Sequence, residues 1–353
     1  MSQKKHKKLI RILRRPFEWA GILIAFLIVP CFTLKGCIRM ACFMAHFGMI
    51  FSKRDKSVAQ ANLRIIYGNR ISPYREKILI YHAFRNMSTV LVILFWISRH
   101  SKKRIEQLSD IKPEITELFK QATPSINVSA HIGNWEMLSQ AGVLKGIPMT
   151  TVARDIGSSS MTKSLSRIRS SIGQKIIPKK GALKRLVYAL RHNSSLGMVV
   201  DQHTPVREGG VRLKFFDLPV DISIAPATLS RKMNVPIIIA WARPLKNGRY
   251  SIEYLKKLDP ESDIDDLERS QEIISVFEKV IRRHPSCWAL NYRRWKLIRP
   301  GDDPSLYPYY AHMRRKKPIK NLTRDTLKQQ SRNQVSAPIR QSQGRQVQKC
   351  DSA

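Results

Sequence analysis

Acidic residues are the scarce class in this sequence. Its 353 residues hold 26 Asp and Glu against 63 Lys and Arg, a formal net charge of +37. A chain so short of negative charge suits an anionic partner: a nucleic acid, an anionic membrane surface or an acidic soluble protein such as a carrier protein. Charge alone does not choose among the three. Cysteine is also sparse, with five residues and no Cys-x-x-Cys pair. An odd number without that spacing argues against a disulfide framework or a zinc site and for a reducing compartment. Hydrophobic residues at 43% and charged residues at 25% still place the chain among globular proteins.

Other signatures are missing too. There is no Gly-x-Gly-x-x-Gly string and no Walker A loop; Gly157-Ser158-Ser159-Ser160 lacks the closing Gly of a nucleophile elbow. Neither a zinc-finger spacing nor an aromatic RNA-binding string is present, so nucleic acid is not expected as a partner. No spacing supports a metal site from His131, Glu136 and His203, and neither metal nor cofactor is expected. No internal repeat is visible.

A long hydrophobic run is lacking as well. Residues 1–15 are basic, and the uncharged stretch Trp19 to Leu34 is 16 residues long. As a helix it covers about 24 Å, short of a hydrocarbon core of about 30 Å. Lys35 and Arg39 interrupt it before Met40 to Phe51 turns apolar again. With basic flanks on both sides and no clean cleavage pattern, an interfacial or re-entrant membrane anchor is expected over residues 1–51. A buried core helix is the other reading.

Residues 52–122 carry helical spacing, with Ser72-Pro73 as a helix start. From 125 onward, short β-rich runs (125–130, 148–153, 196–200, 211–216, 235–241, 249–255) alternate with helical stretches (134–145, 160–172, 181–192, 223–233, 266–283). This predicts an α/β fold, a mixed and mostly parallel sheet flanked by helices, over a domain of residues 52–310. Residues 311–353 open on Arg314-Arg315-Lys316-Lys317 and are poor in apolar residues, the composition of a basic disordered tail.

The chemistry concentrates in Ser125 to Glu136. An apolar strand ends at His131, Gly133 permits a tight turn, and a helix starts near Asn134. Ligands of open α/β sheets bind at that carboxyl edge. His131 is placed to take a proton from a hydroxyl attacking a carbonyl, with Glu136 folding back to orient the imidazole. The spacing alone fits equally a structural His and an exposed helical Glu.

The fuller string His131-Ile132-Gly133-Asn134-Trp135-Glu136 resembles the signature of the lipid A late acyltransferases, the lauroyl- and myristoyltransferase family. The resemblance spans roughly residues 20–300. Ala61-Asn62-Leu63, Arg154, Arg169, Asp201-Gln202, Phe215-Phe216, and Trp288 with Arg293-Arg294-Trp295-Lys296 occur in the family's order. Asp155 stands where the family has Pro, and Asp217 where it has Gly, which alters the local turn. The resemblance implies acyl transfer from acyl carrier protein to a hydroxyl of a Kdo-bearing lipid A precursor, at the cytoplasmic face of a Gram-negative inner membrane. It implies His131 and Glu136 as the catalytic pair, and Asn134, Arg154, Arg169 and Asp201 as substrate-binding residues. Arg supplies bidentate phosphate contacts that Lys does not. Each Arg also reads as a surface charge and Asp201 as a strand-end cap. The rival within the class is a lysophospholipid or glycerol-phosphate acyltransferase, which usually ends its motif in Asp; the rival outside it is a basic, membrane-tethered nucleic-acid-binding protein.

Overall fold

A computed structural model describes residues 20–153, 159–178, 181–260 and 264–313. The basic opening at 1–15, Arg154 and the tail from 314 lie outside the described residues.

The apolar N-terminal stretch is helical. α1 (Ala20–Cys31) leads into α2 (Leu34–Phe51), which Thr33 caps through its hydroxyl. α2 buries small residues, Cys37, Ala41 and Ala45, and so lies close against α4 (Pro73–Trp96); a Cβ at Gly48 would meet Phe84 at 2.9 Å. Its outer face leaves Phe43, Phe47 and Phe51 exposed, as α1 leaves Leu23 and Leu27. Trp96 donates its indole N–H to the Phe32 carbonyl at 2.8 Å, pinning the corner between α1 and α2. Both α2 and α4 are long and apolar enough to cross a membrane. α3 (Lys53–Tyr67), α5 (Ser101–Leu108) and α6 (Pro113–Gln121) complete the helical first third that the spacing predicts.

The rest is the predicted α/β core. Seven strands are involved: β1 (Ser109–Asp110), β2 (Ile126–Ser129), β3 (Met149–Ala153), β4 (Lys175–Pro178), β5 (Ser195–Val199), β8 (Ile237–Pro244) and β9 (Tyr250–Leu258). Their order is β1-β9-β8-β2-β5-β3-β4, with β8 to β4 parallel and β9 antiparallel to β8. β2 lies between β5 and β8 and is buried along its whole length, as a central strand covered on both faces must be. α7 (Trp135–Leu144), α8 (Ser159–Ser170), α9 (Ala182–Arg191), α10 (Ala225–Met233) and α11 (Asp266–Arg283) fall within a few residues of the predicted helices.

β6 (Gly210–Phe215) and β7 (Leu218–Ser223) form a separate hairpin. Its two-residue turn puts Phe216 and Asp217 at φ 53° and 62°, the left-handed pair of a type I′ turn. Asp tolerates that region. Phe216 is held there by packing on Trp288 and Trp295 and by donating its N–H to Glu278 at 2.6 Å. The turn forms without the Gly that the family pattern has at 217.

Candidate active site

β2 and β5 are paired in parallel with Ser129 opposite Val199, and two residues further on His131 and Asp201 leave the sheet side by side. The site is built on that register. The His131 backbone N–H donates to Asp201 Oδ1 at 3.0 Å, and the ring Nδ1 lies 2.6 Å from the same oxygen. The carboxylate is fully buried, while the imidazole stays partly open.

Three further donors fix Asp201. Trp288 gives its indole N–H to Oδ2 at 2.8 Å. Arg294 gives Nη2 to Oδ2 at 2.6 Å and Nε to the Asp201 carbonyl at 2.9 Å, and a third bond runs to the Ala289 carbonyl. Its guanidinium also lies over the Trp288 ring. Burial opposes ionisation of Asp201, but the facing His131 and Arg294 charges and their hydrogen bonds overrule it. They hold the carboxyl well below the usual carboxylate range. A permanent carboxylate on Nδ1 fixes the proton there and leaves the lone pair on Nε2, the form that acts as a base.

The turn after His131 is clamped from three sides. Gly133 (φ 60°) donates to the Cys287 carbonyl, Asn134 donates to the Ala242 carbonyl, and Ala289 donates to the His131 carbonyl. A Cβ at Gly133 would stand 2.0 Å from the Ala242 oxygen, so only glycine fits. From α4, Asn86 bonds the carbonyls of both Gly133 and Cys287 at 3.0 Å.

Two expected placements differ from what the structure shows. Glu136 does not fold back onto His131: its carboxylate is taken by Arg169 in a two-pronged contact, Nε to Oε2 at 2.8 Å and Nη2 to Oε1 at 2.5 Å. The first turn of α7 carries Glu136 toward α8 rather than back over β2, and the strand register has already filled its seat with Asp201. Asn134 is not open to substrate either. It is buried and caps α7, its side-chain oxygen accepting from the Met137 N–H at 3.0 Å. Asp201, expected among the substrate-binding residues, holds Arg294. Arg169 lies at the rim, bound to Glu136; Arg154 lies outside the described residues.

Sequence reasoning left out two neighbours of the reacting ring. Trp135 packs its edge against His131 at 4.9 Å between centroids, and the Gln202 amide nitrogen lies 3.1 Å from His131 Nε2. Both sit inside strings already singled out, one before Glu136 and one after Asp201. Their placement depends on the strand pairing, which no spacing reveals.

The profile of a family described as bacterial lipid A biosynthesis acyltransferase matches residues 3–297, and the whole site lies within that span. A search of curated proteins returns no match.

Proposed function

Since the chain belongs to the bacterial lipid A biosynthesis acyltransferase family and shares its general activity of acyl transfer, we propose that it moves a fatty acyl chain from acyl carrier protein to a hydroxyl of a Kdo-bearing lipid A precursor. The observation that carries this reading is the His131–Asp201 couple at the carboxyl end of the central strands, with the imidazole partly exposed and the carboxylate fully buried.

In this reading His131 takes the proton of the acceptor hydroxyl as its oxygen attacks the thioester carbon. Asp201 fixes the tautomer and stabilises the imidazolium. The thioester is already activated, so no covalent enzyme nucleophile is needed. Glu136 acts through Arg169, holding the guanidinium at the rim, where its planar fork meets a precursor phosphate. Arg154 is proposed as a second phosphate contact. The net positive charge suits an anionic leaflet, a phosphorylated saccharolipid and an acidic carrier protein together. The exposed Phe43, Phe47 and Phe51 on α2, with Lys35 and Arg39 on the same helix, support seating on the cytoplasmic face of the inner membrane.

Mass spectrometry of lipid A from cells with and without the gene tests the proposal. Loss of one secondary acyl chain is expected, restored by the wild type and not by His131→Ala. Unchanged lipid A beside altered phospholipids would refute it in favour of a glycerolipid acceptor.

A further inference from the structure

The atom that must receive the proton already has a neighbour. Gln202 Nε2 lies 3.1 Å from His131 Nε2. An amide nitrogen only donates, so in this contact the ring nitrogen accepts, in agreement with the proton on Nδ1 facing Asp201. Gln202 therefore sits where the acceptor hydroxyl has to come, and it yields that seat when substrate binds. Its backbone stays in place, because the preceding Asp201 is locked through both its carboxylate and its carbonyl. Only the side chain swings. It is half-buried, and among the described residues His131 is its one side-chain partner.

The developing negative charge needs a donor close by. The oxyanion forms two bonds from the attacking oxygen, which takes the seat that the amide leaves. Several of the described polar groups around the site are already engaged: Asn134 caps α7, Asn86 bonds two carbonyls and Trp288 bonds Asp201.

We infer that Gln202 is a catalytic residue: it covers the lone pair of His131 at rest and donates its amide N–H to the oxyanion during acyl transfer. The inference rests on the acyl-transfer reading above. The acceptor oxygen bonds to the thioester carbon while its proton passes to Nε2, and the carbonyl π pair moves onto the carbonyl oxygen, which accepts from Gln202. On collapse that pair re-forms the carbonyl, the C–S bond breaks, and the leaving thiolate takes the proton from Nε2. Donor and acceptor exchange one acyl group for one proton, and nothing is oxidised or reduced.

The test is steady-state kinetics of the full chain in detergent, with an acyl-carrier-protein thioester and a Kdo-bearing lipid A precursor. Gln202→Met keeps the length of the side chain and removes the donor. We expect kcat to fall about 10²- to 10³-fold, the size seen when one oxyanion donor is lost, with both KM values within about twofold. The pH at which kcat falls on the acid side, which reports the substrate complex after the amide has swung away, should not move. Gln202→Ala gives the same readout should the Met variant fold poorly. Unchanged kcat overturns the inference, as does a rise in KM alone, which would make Gln202 a ground-state contact. A shifted acid limb with full activity restored at a new optimum also overturns it, since Gln202 would then only tune the base. A wild type that transfers no acyl chain overturns the underlying reading and the inference with it; an active wild type with an equally active Met variant overturns the inference alone.

Discussion

The site contains two Arg–carboxylate pairs of similar chemistry and different surroundings. Arg294–Asp201 is wholly buried, while Arg169–Glu136 sits at the rim with 12% and 13% of the side chains exposed. On the floor of the site, Asp201 receives bonds from His131, Trp288 and Arg294, and Arg294 is spread over three acceptors. At the rim the two groups mainly hold each other. Stripping water from a charge costs several kcal/mol per ion, so a buried pair persists only where extra hydrogen bonds fill its remaining positions. A rim pair keeps water within reach and can exchange partners. The same two functional groups are thus fixed by a full set of partners in one place and mainly by each other in the other.

The strongest way to break this contrast is to neutralise each carboxylate. In Asp201→Asn the amide can donate to Nδ1, which moves the ring proton to Nε2 and removes the base. A loss of about 10³- to 10⁴-fold in kcat is expected, the size known for the wrong imidazole tautomer. Glu136→Gln should fall well short of that. Equal losses in the two variants would mean that Glu136 reaches His131 during turnover.

Removing the two arginines comes next. Arg294→Met leaves a buried carboxylate without its main partner and is expected to cost about 3–5 kcal/mol of stability by denaturant unfolding. Arg169→Met should cost less than that, because the Glu136 left behind keeps some contact with water, with 13% of its side chain exposed against none for Asp201. A third change addresses the floor through the backbone. Gly133→Ala puts a Cβ against the Ala242 oxygen and forces the turn under His131 to shift. A displacement near 1 Å is expected to lower kcat about 10²-fold with little change in acceptor KM. An unaffected kcat would show that the turn is softer than its four clamping bonds suggest.

The two pairs were unequally legible in the sequence. His131, Asp201 and the ends of both central strands follow from apolar runs and punctuation, and the matched strands and helices fall where their patterns put them. The partnership of His131 with Asp201 needs the register of β2 on β5, a contact across 70 positions that local spacing does not encode. Glu136 looked like the partner because it is near in sequence, yet helix geometry turns it away. β4 and β7 escaped for local reasons. Lys175-Ile176-Ile177-Pro178 is a short edge strand without alternation. β7 carries Pro219 and a buried Asp221, which Arg212 and Arg299 pair. Its turn has Phe-Asp where a hairpin signal would have Asn-Gly. The helix Pro73–Trp96 was legible as a helix but not as one of membrane length, since Arg75, Glu76, Lys77 and Arg85 interrupt its apolar run.

The finest division between floor and rim comes from a double-mutant cycle on Glu136 and Arg169. Residues in direct contact typically couple by about 0.5–3 kcal/mol, and the cycle shows in which quantity the coupling lies. A pair that only braces α7 against α8 would couple in unfolding free energy and leave the acceptor KM additive. A pair that hands Arg169 to a precursor phosphate should do the opposite. Stability changes would then add, while the second substitution would raise acceptor KM little beyond the first, since Glu136 acts only by placing the guanidinium. Arg169→Lys sharpens the outcome, because it keeps the charge and loses the planar fork. Its acceptor KM should lie nearer to Arg169→Met than to the wild type. A Lys variant with wild-type KM would show that charge suffices at the rim, and that the two-pronged geometry seen with Glu136 is not carried over to the substrate.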